Sequence, residues 1–261
     1  NTKVPYSNIF YQSAGGGESQ EQRFQTEMSM NMGKKLNVGF DFDYIYSRGF
    51  YNSQSNKGIS YDFYASYIGD KYKMHAFFHN NNFVILENGG VSDPTYISNP
   101  DAHDGFTGKS MDIPTRMQDT RNKMRGRHLY VTNRYDLGND MEEYQVNDST
   151  TSRRKKKDYV SLASVILTTH YTDQRRRITS NYSGLDELFL PYYKDGRYIN
   201  NIDSVKYMGN IDDYMSYYSF KNTFALAMNE GFRPWIKFGL TAFVEYNMRK
   251  FSLPGDLPGL H

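Results

Sequence analysis

The sequence predicts an all-β protein: a transmembrane antiparallel up-and-down β-barrel, or a portion of one, with short periplasmic turns and long extracellular loops. Three observations carry that expectation. Apolar and polar residues alternate with a period of two in one segment after another. The apolar phase is dominated by large side chains, and short and long connections mostly take turns along the chain.

Composition narrows the class. The 261 residues suffice for one large β domain or two smaller ones, and a net charge of +2 gives no field argument for nucleic acid. The lack of cysteine excludes a disulfide framework, a thiolate nucleophile and Cys-ligated zinc. Tyr (24) and Phe (17) are abundant beside a single Trp, a bias that suits strands and wet–dry boundaries better than a helical core. Mean hydropathy is negative and no run approaches ~18 consecutive apolar residues, which excludes a transmembrane helix. A barrel strand escapes that test, because only every second residue faces lipid.

Taken in order, the elements begin with a weak strand around "PYSNIFYQ". In "RFQTEMSMNM", Phe24, Thr26, Met28, Met30 and Met32 oppose Gln25, Glu27, Ser29 and Asn31. In "LNVGFDFDYIYS", Leu36, Val38, Phe40, Phe42, Tyr44 and Tyr46 oppose Asn37, Gly39, Asp41 and Asp43. "ISYDFYASY" and "YKMHAFFH" alternate in the same way, as do "YSFKNTFALAM", with only Asn222 out of phase, and "WIKFGLTAFVEYNMR". "RHLYVTNRY" and "YVSLASVILTTHY" are strand-rich but less regular. This makes roughly nine strands, most of them long enough to cross a bilayer at the usual tilt.

The connections sort by length. Gly33-Lys34-Lys35 and Gly69-Asp70-Lys71 read as tight hairpin turns, and "NEGFRP" is also short. Between them lie longer polar stretches: "SRGFYNSQSNKG", residues of about 86–125 and residues of about 172–213. Short turns on one side and long loops on the other are what an outer-membrane barrel requires. Residues 136–158 break the rule, being long on the short-turn side. We expect a mobile periplasmic excursion there, the alternative being a strand pair.

The apolar phase can face a soluble core or lipid. A small closed soluble barrel must mix small and large inward residues, and this phase is mostly large. The polar phase is rich in Asn, Gln, Ser, Thr, Asp and Gly, whereas a soluble exterior is usually dense in Lys and Glu. Tyr44, Tyr46, Tyr61, Tyr67, Tyr72 and Tyr246 gather towards strand ends, as in an interfacial girdle. Lipid is the expected neighbour.

Several stretches also carry a family likeness. "YSNIFYQSAGGGESQEQRFQ", "LNVGFDFDYIYSRGFYNSQSNKG" with Gly49, Phe50, Tyr51 and Gln54, "ENGGV" from Glu87 to Val91, and "LTTHYTDQRRRI" followed by "YYSFKNTFALAM" resemble segments of the putative porins of the Bacteroidetes. The likeness runs from about Tyr6 to Lys250 and consists of soft patterns, not catalytic signatures. It implies an outer-membrane β-barrel of a Gram-negative bacterium. Members of that family are longer, and "FSLPGDLPGLH" lacks the aromatic-terminated closing strand usual in such barrels. Residues 1–261 are therefore expected to form a single but incomplete barrel domain.

Candidate chemistry is sparse. His75 and His79 share a strand face, but four residues along a strand is about 13 Å, too far for one metal. Asp93, Asn99, Asp101 and Asp104 in "SDPTYISNPDAHDG" offer oxygen ligands for Ca²⁺ without EF-hand spacing, so loop solvation is the favoured reading. "GGGES" lacks a P-loop ending. "SRRKKK" and Arg175, Arg176 and Arg177 are charge runs; the latter begin the loop side, where they could pair bidentately with lipopolysaccharide phosphates. The former could meet anionic periplasmic partners. No nucleophile is positioned beside His128 or His170, so neither an enzyme nor a cofactor is expected.

Three functional readings follow. In the first, Asp41, Asp43, Asp62, Lys73, His75, His79, Lys237, Glu245 and Arg249 line a wet lumen through which small hydrophilic solutes or ions diffuse. In the second, the barrel does not conduct and serves as a scaffold in a homo-oligomer or larger envelope complex. The third is a soluble ligand-binding barrel. The first is favoured.

Overall fold

The structure, a computed structural model, describes residues 4–16, 20–138, 141–147, 150–155, 161–180, 211–229 and 238–252. Alternating sequence becomes strand throughout: β1 (Tyr6–Ala14), β2 (Glu21–Met32), β3 (Leu36–Ser47), β4 (Ser55–Ile68), β5 (Tyr72–Glu87) and β6 (Thr120–Leu137). There follow β7 (Met141–Asn147), β8 (Thr150–Lys155), β9 (Ala163–Ser180), β10 (Ile211–Met228) and β11 (Leu240–Ser252). Nine of these make one sheet in the order β1-β2-β3-β4-β5-β6-β9-β10-β11, each antiparallel to its neighbours. This is an up-and-down meander with β1 and β11 at its edges.

Both tight turns fall where the glycines predict them, at residues 33–35 and 69–71. The turns are tied together: Lys35 Nζ donates to Asp70 Oδ2 at 2.9 Å, which raises the lysine pKa, and the Ile68 amide donates to the Lys35 carbonyl at 2.8 Å.

On the other side the strands run further than the hydropathy pattern predicts. β5 and β6 leave a connection of residues 88–119, not about 86–125, and β9 continues to Ser180 instead of ending near residue 172. Arg175, Arg176 and Arg177 thus lie within β9, not at the start of a loop. In these ends the apolar phase gives way to Arg and Lys, so the binary pattern fades while the backbone ladder persists, pairing Arg121 through Leu137 with Thr179 through Ala163.

The 136–158 connection is likewise corrected: β7 and β8 form a separate hairpin with a bulge between Gln145 and Asn147. Neither strand carries an unbroken apolar phase, which hides the pair from a periodicity argument. The register sets Glu142 opposite Arg154 and Glu143 opposite Arg153.

The connection at 88–119 is folded, not loose. It carries α1 (Thr95–Ser98), two short 3₁₀ turns and a bridge between Val91 and Thr115, with Ile113 and Met117 buried. Gly89 and Gly90 of "ENGGV" have φ of 66° and 86°, a region costly for other residues, and a Cβ on Gly89 would lie 2.8 Å from Met117 Cε. The loop also clasps the β3–β4 connection: Ser110 Oγ donates to the Phe50 carbonyl at 2.6 Å, and Asn88 Nδ2 to that of Asn52 at 3.4 Å.

Candidate functional site: the inner wall of the sheet

Strand alternation divides the sheet into two faces, and register carries each face across all nine strands. One row reads Ser7, Met28, Phe40, Phe63, Phe78, Leu129, Tyr171, Phe220, Met248. The rings on this face touch: Phe40 and Phe63 lie 4.9 Å apart, Tyr67 and Tyr72 5.8 Å, and Tyr171 and Tyr218 5.5 Å. They are nonetheless exposed, Phe63 by 50% and Leu226 by 49%. Soluble monomers rarely expose a contiguous apolar surface of this breadth.

Its height identifies the neighbour. On β10 the apolar phase runs from Tyr218 to Met228, about 33 Å along the strand. At the usual tilt that is roughly 25 Å across the bilayer, the height of a barrel's lipid-facing band. Two asparagines inside the band each accept a hydrogen bond from a neighbouring strand. Thr169 Oγ1 donates to Asn222 Oδ1 at 2.8 Å, which accounts for the out-of-phase Asn222, and Tyr72 Oη donates to Asn133 Oδ1 at 2.6 Å.

The opposite face is the polar one, and grooves indent it. Tyr6, Glu27, Asn37, Tyr64, Ser66 and His75 line one of about 600 Å³, and a second, of about 580 Å³, borders His128, Gln174, Arg176 and Tyr217. Glycines make room for rings lying across this face: a Cβ on Gly39 would meet Tyr64 Cζ at 2.0 Å.

Most of the predicted wall residues are here, but their charges are organised in a way that the sequence does not reveal. The central row reads Asn8, Glu27, Asp41, Asp62, His79, His128, Thr172, Ser219, Arg249. Three carboxylates on adjacent strands thus stand side by side, an arrangement that opposes folding. Asp62 ends the acidic run in close contact with His79 Nδ1. Asn81 Nδ2 lies 3.1 Å from His79 Nε2 on the other side of the ring. The His79, His128 and His170 rings follow one another at 6.0 and 6.5 Å, with Thr172 Oγ1 3.3 Å from His128 Nδ1 and 3.4 Å from His170 Nε2.

The remaining wall residues divide by role. Asp43 accepts a two-pronged contact from Arg23, Nε at 3.1 Å and Nη2 at 2.7 Å. His75 Nδ1 lies 3.0 Å from Ser66 Oγ. Glu245 pairs with Lys221 at 3.4 Å. Arg249 is exposed on β11. Lys237 lies outside the described residues.

Lys73 is not an open wall charge. Its Nζ donates to Asp136 Oδ2 at 2.9 Å, in a network sequence reasoning missed because Asp136 fell inside the presumed excursion. Arg134 Nε donates to Asp136 Oδ1 at 2.8 Å, and Ser164 Oγ to the same oxygen at 2.6 Å. Arg134 Nη2 also reaches Ser164 Oγ at 2.9 Å and Asn229 Oδ1 at 2.8 Å. This clasp joins β5, β6 and β9 to the chain just beyond β10 at the short-turn end of the wall.

The arginine run is split. Arg175 and Arg177 are on the apolar-face phase, whereas Arg176 faces inward and donates through Nε to Asn122 Oδ1 at 3.0 Å. In the 88–119 loop, the Thr95 hydroxyl and then its backbone amide, 2.9 Å from Asp93 Oδ1, hold the Asp93 pKa below the usual carboxylate value. Among the described residues no three His, Asp or Glu side chains converge on a point that would hold a metal.

A nine-stranded antiparallel up-and-down sheet with one apolar and one charged face is the architecture of a portion of a transmembrane barrel. Residues 1–257 match the protein family described as putative porin, and the chain belongs to that family. No curated protein and no solved structure matches it.

Proposed function

We propose that this chain forms the wall of an outer-membrane channel for passive diffusion of small hydrophilic solutes or ions, with the polar face towards the lumen. The observation that carries the reading is the in-register row Glu27–Asp41–Asp62. Side-by-side carboxylates cost stability in a sealed interior, whereas a water-filled lumen solvates them and supplies counter-ions. Arg249 lies at the far end of the same row, so one sector of the wall is acidic and another basic. Such a wall discriminates by charge ring, not by a tight site.

The test is conductance of the purified, folded protein in a planar bilayer. Discrete current steps with a cation preference support the proposal; a folded, inserted protein that never conducts overturns it. The β7–β8 hairpin favours a second reading, a non-conducting barrel that docks an envelope partner through this short-turn-side projection. Stoichiometric co-purification of a partner that is lost on deleting residues 141–155 would support that reading instead.

A further inference from the structure

The outer face carries a second feature, immediately beyond the apolar band on the long-loop side. Register sets Lys123 opposite Arg177, Arg125 opposite Arg175, and Arg127 opposite Asp173. All six project on the phase of Leu129 and Tyr171, so they continue the lipid-facing surface upward. The single carboxylate among them, Asp173, accepts from Arg175 Nε at 3.0 Å and is itself buried. With Asp173 set against Arg175, Lys123, Arg125 and Arg127 leave the patch a surplus of positive charge. Two of its pairs are like charges directly opposite one another, which opposes strand pairing. Lys123, Arg175 and Arg177 are exposed, Arg125 and Arg127 half-buried.

Its position selects its ligand. The band below it is about 25 Å high, so the patch lies at the headgroup level of the leaflet on the long-loop side. An amphiphile that lays acyl chains on Leu129, Tyr171 and Phe220 while presenting phosphate at the level of Arg125 and Arg175 would satisfy both halves of this surface. Guanidinium groups take phosphate oxygens two at a time, and a phosphate between Arg125 and Arg175 would turn their repulsion into attraction. We infer that this surface, centred on Lys123, Arg125, Arg127, Arg175 and Arg177, is a seat for a phosphorylated glycolipid of the outer leaflet. The inference rests on the outer-membrane reading above. It excludes Arg176, which faces the lumen.

The test uses the full chain, purified in detergent, with bisphosphorylated lipid A as probe and dephosphorylated lipid A and inorganic phosphate as comparisons, read by native mass spectrometry and titration. Heat-modifiable gel mobility checks that each variant is folded. Bisphosphorylated lipid A is expected to bind at least about tenfold more tightly than the dephosphorylated form, and the Arg125→Gln/Arg175→Gln double variant to lose about tenfold or more. Arg176→Gln is expected to leave binding unchanged. Equal binding of the two lipids, a loss with R176Q matching that of the double variant, or inorganic phosphate binding as tightly as the lipid would each overturn the inference. If the double variant fails to fold, Lys123→Gln and Arg177→Gln, each expected to weaken binding severalfold, replace it. A protein that conducts in a glycolipid-free bilayer yet ignores lipid A refutes this inference alone, whereas one that enters no bilayer refutes the outer-membrane reading beneath it.

Discussion

Replacing Asp136 by Asn probes the clasp at the short-turn end. The side chain is 5% exposed and receives Lys73, Arg134 and Ser164 on its two oxygens. Asparagine keeps the shape but removes the charge and turns one acceptor into a donor facing cations. Breaking a fully buried ion pair costs ~3–5 kcal/mol, while exposed pairs contribute about 0–1 kcal/mol. Lys73 and Arg134 are each somewhat more than a third exposed, so water recovers part of the loss. The expected destabilisation is about 2–3 kcal/mol. The measurement is the urea midpoint for unfolding from detergent micelles, followed by circular dichroism and gel mobility. Asp70→Asn is the control, because the Lys35–Asp70 pair is half exposed on both sides and its loss should not shift the midpoint measurably. If Asp136→Asn and Asp70→Asn behave alike, the clasp does not hold the wall together and the reasoning from burial fails.

Two further outcomes follow from the inner wall. Asp41→Asn removes the middle carboxylate of the acidic row; a unit charge ~5 Å from a permeating cation in water contributes about 0.8 kcal/mol, so cation preference, read from reversal potentials, should fall roughly fourfold. Gly39→Ala places a methyl group 2.0 Å from Tyr64 Cζ. It should lower the unfolding midpoint by an amount equivalent to ~1–3 kcal/mol, and most of that loss should vanish when Tyr64 is replaced by Ser.

Where one phase is apolar and the other polar, the sequence is sufficient. β2, β3, β4 and the first half of β5 can be read with their turns, because lipid imposes alternation on every residue pair in the band. The upper ends of β6 and β9 sit above the band, where no apolar phase is required, and they were legible only as charge runs. The β7–β8 hairpin carries no continuous apolar phase, so a periodicity argument passes over it. Pairing itself is invisible in one strand. Glu27, Asp41, Asp62, His79 and His128 lie on five strands and become one row only when the register is fixed. The same holds for Lys73, Asp136 and Ser164, which meet from β5, β6 and β9. Adjacency in sequence groups Arg176 with Arg175 and Arg177, yet strand alternation sends it to the other side of the wall.

The account turns on which face meets lipid, and the cysteine-free chain allows a direct test. Single cysteines at the adjacent pairs Asp62 and Phe63, Leu167 and Thr168, and Thr223 and Phe224, each carrying a nitroxide in a reconstituted bilayer, would report collisions with oxygen and with a water-soluble nickel chelate. Labels at Phe63, Leu167 and Phe224 should favour oxygen, and those at Asp62, Thr168 and Thr223 the nickel chelate. The reverse pattern, or no alternation at all, would contradict a lipid-facing band and with it the lumen on the other side.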